Sequence, residues 1–392
     1  MFKPANGHET DLVEGNNLTF SSRGPSNGRG RIPGMSLLLV TSVLVLLVVF
    51  LSACGSTSTG ASTSSASTAK ATSTSQIKKH DTCAPQATLP ADIPANGTFD
   101  TGANVIATFN NARQQEGCAV PLSIDPAAFD AATPQMQELM LINAERQDRG
   151  LPALQLDSTL LSQIDTNHSK EFVQYNYFAH PSPINQPGGK NDSSSRITVN
   201  PAVNGQLCCA ENIAGGGPAA DAIYRFMYVD SSSNWGHRQN ILGFNSNLDT
   251  NPGHYTWIGI GTATGGQFGF YTTLDFLEDS PATPYTPPAT ADTQAPTMNP
   301  PTVVDANTVQ VTGVQDNSDG GTGGVVGVSS VVFYVGTAVA ADGSTFQTVV
   351  ATQTTPGTWT ANLAVTDPTT LHAVAVDGSG NFTDCVGGGA TC

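Results

Sequence analysis

Apolar positions along the chain follow several distinct patterns, and each predicts a different element. Residues 36–53, SLLLVTSVLVLLVVFLSA, form one run of eighteen residues without a charge, long enough for a single membrane span. Residues 55–77 are nearly all Ser, Thr, Ala and Gly with one Lys, too polar to bury a core, and read as a tether. A helical period follows. Thr133-Pro134 places an N-cap before a proline, Met136, Leu139, Met140, Ile142 and Ala144 follow at helical spacing, and Gly150 stops the helix. Ser158 is expected to cap a second helix with Leu160, Leu161, Ile164 and His168 on one side; a third starts near Pro218 with Ile223, Phe226 and Met227. Upstream, NNARQQEG (110–117) echoes NAERQDRG (143–150) and reads as an additional helix of the same domain.

Period two then takes over. FGFYTTLDF (268–276) alternates as a half-buried strand, and YTWIGIGTA (255–263) is its expected antiparallel neighbour across a Gly-Gly turn. A Pro- and Thr-rich break at 280–301 precedes a block that reads entirely as strand: TVQVTGV (308–314), SSVVFYVG (329–336), TWTANLAV (358–365) and LHAVAVDGSGN (371–381). Helices around an antiparallel pair predict an α+β layer fold, and the last block predicts a β-sandwich. Asp377 and Asn381 are expected to tie off a turn through Asx-type hydrogen bonds.

Charge and cysteine usage narrow the function classes. The chain of 392 residues has 15 Lys+Arg against 31 Asp+Glu, and no Lys or Arg follows Arg238. Nucleic acid is excluded as a partner, because that affinity rests on Lys and Arg. The apolar run ends in Leu51-Ser52-Ala53-Cys54, which resembles a bacterial lipobox with Cys54 as the lipidated residue. Either that lipid or an uncleaved apolar anchor is expected to hold the protein at a membrane, with everything after residue 54 outside the cytoplasm. Six further cysteines fit an oxidising compartment. The simplest pairing joins Cys83 to Cys118 and Cys385 to Cys392, leaving Cys208 and Cys209 as a vicinal bridge or with partners elsewhere. The expected organisation is a disordered preamble (1–34), a lipoprotein signal or anchor (35–54), a tether (55–80), an α+β domain with an N-terminal helical extension (81–279), a linker (280–301) and a β-sandwich (302–392).

Three stretches put an ionisable side chain beside small or aromatic residues: YFAHPSP (177–183), AENIAGG (210–216) and NWGHRQNIL (234–242). With INAERQDRGLPALQLDSTL (142–160) ahead of them, they resemble, in order, the CAP superfamily of cysteine-rich secretory, antigen 5 and pathogenesis-related proteins and bacterial SCP-type domains. The resemblance spans roughly residues 100–279. It implies an α-β-α sandwich with a cleft lined by His180, Glu211 and His237, and Asp230 is the candidate for the fourth place, where family members carry glutamate or serine. VAVDGSGN (374–381) resembles the last strand of bacterial immunoglobulin-like domains, whose usual role is spacing or adhesion.

Two imidazoles with one or two carboxylates suit a divalent metal such as zinc, held by His180 and His237 with Glu211, or a set of proton transfers. Each residue also has a plainer reading: His180 as a surface or cap residue, Glu211 bridging amides of the glycine-rich turn, His237 and Arg238 holding their loop, His168 as a network member and His254 as a loop residue. No GxSxG or HExxH motif supplies a catalytic group. The expected function is therefore a tethered, non-enzymatic protein that binds a small molecule, lipid or cell-envelope component. A zinc-dependent hydrolase of peptide or envelope polymer and a structural or adhesive surface protein are the alternatives.

Overall fold

Helix signals in the sequence translate directly into the first layer. In the computed structural model, which describes residues 83–203, 206–244, 252–316, 327–337, 347–389 and 392, α1 (Gly102–Gln115) buries Val105, Phe109 and Ala112. The preamble, the apolar run, Cys54 and the tether lie outside the described residues. Among those described, no helix is long and apolar enough to cross a membrane. After the short α2 (Pro126–Ala131), α3 (Pro134–Asp148) starts as its N-cap predicts, with Thr133 Oγ1 accepting from the Met136 amide. Its inner face differs from the expected stripe. Met136 is exposed, and Glu138, Glu145 and Arg146 go inward beside Leu141 and Ile142, because each finds a buried partner.

The next helix corrects a capping expectation. α4 (Leu161–Tyr175) is capped by Asp157, not Ser158: the Asp157 carboxylate accepts the amides of Thr159, Leu160 and Leu161 at 2.8, 3.0 and 3.0 Å. A carboxylate with two oxygens satisfies several orphan amides and also complements the helix dipole, which one hydroxyl cannot do. α5 (Ser193–Thr198), α6 (Ala219–Tyr228) and α7 (Gly236–Leu242) complete the helices, α6 starting after Pro218 as predicted.

A four-stranded sheet runs through the helical part in the order β1 (Gln155–Leu156), β3 (Trp257–Gly265), β4 (Gly269–Glu278), β2 (Leu207–Gly215), so β2 is an edge. Only the β1–β3 pairing is parallel. Alternation along the strands sends odd and even positions to opposite faces. Ile258, Ile260, Leu274 and Phe276 join the core made with α1, α3 and α6. Gly259 and Gly261 turn toward α4, where a Cβ on Gly261 would collide with the Thr166 backbone. Two small positions thus let α4 lie directly on the sheet. Covered on both faces, β4 is buried from Tyr271 to Leu277, more completely than its half-buried alternation predicts.

The C-terminal block is two antiparallel sheets, as its strand runs predict. One has the order β5 (Thr302–Asp305), β6 (Thr308–Val311), β10 (Thr358–Asn362), β9 (Thr352–Thr355). The other has β12 (Phe382–Val386), β11 (Leu371–Asp377), β7 (Val328–Val335), β8 (Val349–Val350). Val309, Val311, Val331, Phe333, Ala373 and Ala375 fill the space between them. Asp377 accepts the Asn381 amide at 2.9 Å and its side-chain Nδ2 at 2.9 Å, so the Asx-type turn is present. From Cys83 onward the described residues belong to one compact unit. The Cys83–Cys118 and Cys385–Cys392 disulfides both form. Cys209 is also disulfide-bonded, whereas the Cys208 side chain lies outside the described set.

Candidate functional site

The free edge of β2 positions the site. Glu211 lies opposite Asp275 and turns to the α4 face, while Asn212 lies opposite Leu274 and turns to the α3/α6 face. One histidine–carboxylate pair sits on each side of that edge. On the α4 side, His180 Nδ1 is 2.7 Å from Glu211 Oε1. On the other side, His237 Nδ1 is 2.6 Å from Asp230 Oδ1, and Asn212 Nδ2 donates to the His237 carbonyl at 3.0 Å on that same face. Asn240 on α7 donates to Asn212 Oδ1 at 2.8 Å.

Each pair is locked from behind. Arg196 on α5 donates to Glu211 Oε2 and to the His180 carbonyl at 2.9 Å, so both Glu211 oxygens are engaged. Burial pushes the Glu211 carboxyl up, but Arg196, His168 and His180 outweigh it and hold it at about 2. Asp230 is the hub of the other pair. Its Oδ2 accepts the amides of His237 and Arg238 at 3.0 and 3.2 Å, and Ser233 donates to Oδ1. Phe226 on α6 packs against the His237 ring at 4.8 Å. Trp235, Ile241 and Leu242 are buried, as expected of residues that hold this segment in place.

A carboxylate on Nδ1 keeps the proton of a neutral imidazole there and leaves the lone pair on Nε2. His180 and His237 side chains are 38% and 24% exposed, whereas Glu211 and Asp230 are buried. The acids orient and the imidazoles face outward. Three donor residues do not close on one point here: among the described residues, the group of three whose ligand atoms lie within 4.8 Å of one another is Asp292, Asp316 and Asp377, in the linker and β block. A metal at the cleft would take Nε2 of the histidines, with Glu211 behind the ligand and not on the metal.

Under Glu211 lies a buried layer in which His168 is the network member expected of it, while Arg196, Asp165 and Asp275 were missed by sequence reasoning. His168 is fully buried, with Nδ1 3.3 Å from Glu171 Oε2 and Nε2 3.9 Å from Glu211 Oε2, and burial, with Arg196 nearby, lowers its pKa. Asp275 accompanies Asp165 on α4, the Asp275 amide donating to Asp165 Oδ2 at 3.3 Å. Burial, reinforced by Glu211, pushes Asp275 up to about 7; burial and Asp275 raise Asp165 well above the usual range. No local signal marks Arg196, Asp165 or Asp275, whose partners are supplied by strand register and helix packing. His254 is in a loop as expected, with Nδ1 3.6 Å from Glu278.

Buried acids give stability a pH dependence. Glu138 on α3 accepts from Thr272 Oγ1 at 2.9 Å and is pushed up to about 8 by burial. Glu138 and Asp275 keep protons that the unfolded chain releases near pH 4. Their contribution is complete below about pH 4 and is lost as pH rises through about 7 to 8, at up to about 1.4 kcal/mol per pH unit for each group. Glu211 acts oppositely, its contribution being lost as pH falls from about 4 to about 2. Glu138→Gln, which cannot ionise, is expected to raise the urea midpoint at pH 8 relative to wild type more than at pH 5. Equal displacement at both pH values would contradict a buried proton on Glu138.

No family model matches the chain. Over 142 residues it is 32% identical to the uncharacterized protein YkwD of Bacillus subtilis (strain 168), covering 36% of this chain and 46% of that protein. The chain therefore spans about half the length of that relative. This match is in keeping with the CAP-superfamily resemblance of residues 100–279. A crystal structure of an extracellular protein containing an SCP domain from Bacillus anthracis str. Ames is 24% identical, with 37% of this chain and 40% of that chain covered and a TM-score of 0.28. At that TM-score the likeness carries no fold argument.

Proposed function

We propose, from the premise that residues 81–279 form a CAP/SCP-type domain, that this is an exported, membrane-tethered protein that binds a small or apolar ligand or a cell-envelope component across the β2 edge, without catalysis. The observation that carries this reading is the pair of outward-facing imidazoles, each oriented through Nδ1 by a buried carboxylate, with the Ser233 hydroxyl held on the same Nδ1 side of His237 at 3.1 Å and not at its outward Nε2. Phe178, two residues before His180 in the chain, and Phe268 are partly exposed and packed edge to face at 5.5 Å, which adds apolar surface to this part of the domain. Tethering through Cys54 or the apolar run, and residence outside the cytoplasm, fit the even set of six cysteines after residue 54 and the disulfides formed among them, Cys83–Cys118 and Cys385–Cys392 included. The β block resembles an immunoglobulin-like module in its two four-stranded antiparallel sheets.

Zinc binding, with hydrolysis as its consequence, is the second reading. Carboxylate-oriented imidazoles favour it, because that arrangement fixes tautomer and direction in metal ligands. Zinc would polarise a bound water; this chain's residues would hold it through His180 and His237 Nε2. Two measurements separate the readings. Mass analysis of small molecules co-purifying with the full chain is expected to show a bound component that falls about tenfold or more in His180→Ala/His237→Ala. Retention of the same component by the double variant, or none in wild type, counts against cleft binding. Calorimetric zinc binding at micromolar concentration that disappears in the same variant would establish the metal reading in its place.

A further inference from the structure

His180 sits in a loop, residues 177–186, whose far side is not solvent but the C-terminal β block. Ser330 on β7 accepts the Gln186 amide at 3.2 Å and donates to the Ile184 carbonyl at 3.1 Å. Thr348, just before β8, donates to the Pro183 carbonyl at 2.7 Å and accepts from Gln186 Nε2 at 3.0 Å. The Ile184 side chain is fully buried in a cluster with Val332, Tyr334, Val374 and Val376. This explains why β7 reads as the continuous apolar run Val331-Val332-Phe333-Tyr334: alternate residues face its own sandwich core and the loop.

The loop's other attachments lead to α4, and α4 is held by the same block. Glu171 Oε2 accepts from Tyr177 and Ser182 hydroxyls, each at 2.6 Å, fixing the loop on both sides of His180. Gln163 and Asn167 of α4 donate to Asn381 Oδ1 at 2.9 and 3.0 Å, and Tyr175 donates to Asp384 at 3.2 Å. A connecting segment with few contacts of its own opens locally at little cost. Here the buried contacts that prevent opening come from residues more than 140 positions later in the chain.

We infer that the β block is a positioning part of the cleft: it clamps residues 183–186 from behind so that His180 stays against Glu211. His237 provides an internal contrast, since its ring contacts come from Phe226, Asp230 and Ser233 within the helical part. The two histidines therefore depend differently on the β block. This holds whatever ligand the cleft takes.

The test uses the full chain with Ser330→Ala and Thr348→Val combined, which removes the clamping hydroxyls at nearly constant volume. Amide hydrogen exchange at Ile184 to Gln186 is expected to accelerate about tenfold or more. The His180 imidazole resonance is expected to move, while His237 stays where it is. Faster exchange with an unchanged His180 resonance would overturn the inference, reducing the contact to a merely structural one; so would no change in either. Equal movement of both histidines would also overturn it, since that reports a global effect. If the double variant does not fold, Thr348→Val alone is read by the same signals and the same criteria.

Discussion

Glu145→Gln is expected to cost about 3–5 kcal/mol of unfolding free energy, read as a lower urea midpoint of the full chain. Glu145 is fully buried on α3. It accepts from Arg113 Nη1 at 2.6 Å, from Arg149 Nη1, and from the Tyr228 hydroxyl at 2.6 Å. Burial disfavours its charge, yet Arg149 and Arg113 outweigh burial and keep its pKa below the usual range. Each arginine has a second acid, Asp148 at 2.9 Å for Arg113 and Glu116 for Arg149. Because buried Arg238 also shares Glu116 at 3.0 Å, removing one charge leaves three guanidinium groups with two acids, and such deletions cost far more than the net worth of the intact pair. With total stabilities of about 5–15 kcal/mol, that loss is a large share. A change below about 1 kcal/mol would show that the network is solvated in solution.

Arg196→Met is expected to have a comparable effect and a more diagnostic pH dependence. The guanidinium is buried and donates to Glu211 and the His180 carbonyl. Without it, burial controls Glu211, whose carboxyl rises from about 2 toward or beyond the ordinary glutamate range. In wild type the Glu211 contribution is present above about pH 4 and lost toward pH 2. In the variant a raised pKa makes folding less favourable as pH increases. The deficit should therefore be about 3–5 kcal/mol at neutral pH and shrink progressively below pH 4. The His180 imidazole resonance should move as well, because its acceptor then loses charge. A deficit independent of pH would mean that packing of the arginine stem, not pairing with Glu211, is what counts.

Much of this was readable from local pattern. Thr133-Pro134, Pro218 and the Gly-Gly hairpin mark element starts and turns because capping and φ restriction act within a few residues. Motifs that resemble those of the CAP superfamily also marked His180, Glu211 and His237, and the resemblance made Asp230 the candidate for the fourth place; the structure pairs His180 with Glu211 and His237 with Asp230. Partner choice was the illegible part. Asp157 displaced Ser158 as cap because three amides were in reach of one carboxylate, and Met136 stayed outside because Glu138 and Glu145 had partners on other elements.

By itself, then, the sequence determined element type, the α+β class and the separate strand block, all of which follow from period, turn chemistry and residue type, while the two outward-facing histidines were marked by the resemblance to the CAP superfamily. Only the tertiary structure decided that the histidine pairs straddle an edge strand, that Arg196 and His168 stand behind Glu211, and that the strand block closes over the His180 loop. The physical reason is range. Hydrophobic period and caps are set by neighbours within a turn or two. Burial, ion pairing and the pKa of a carboxyl depend on groups that the chain brings together from more than a hundred residues away.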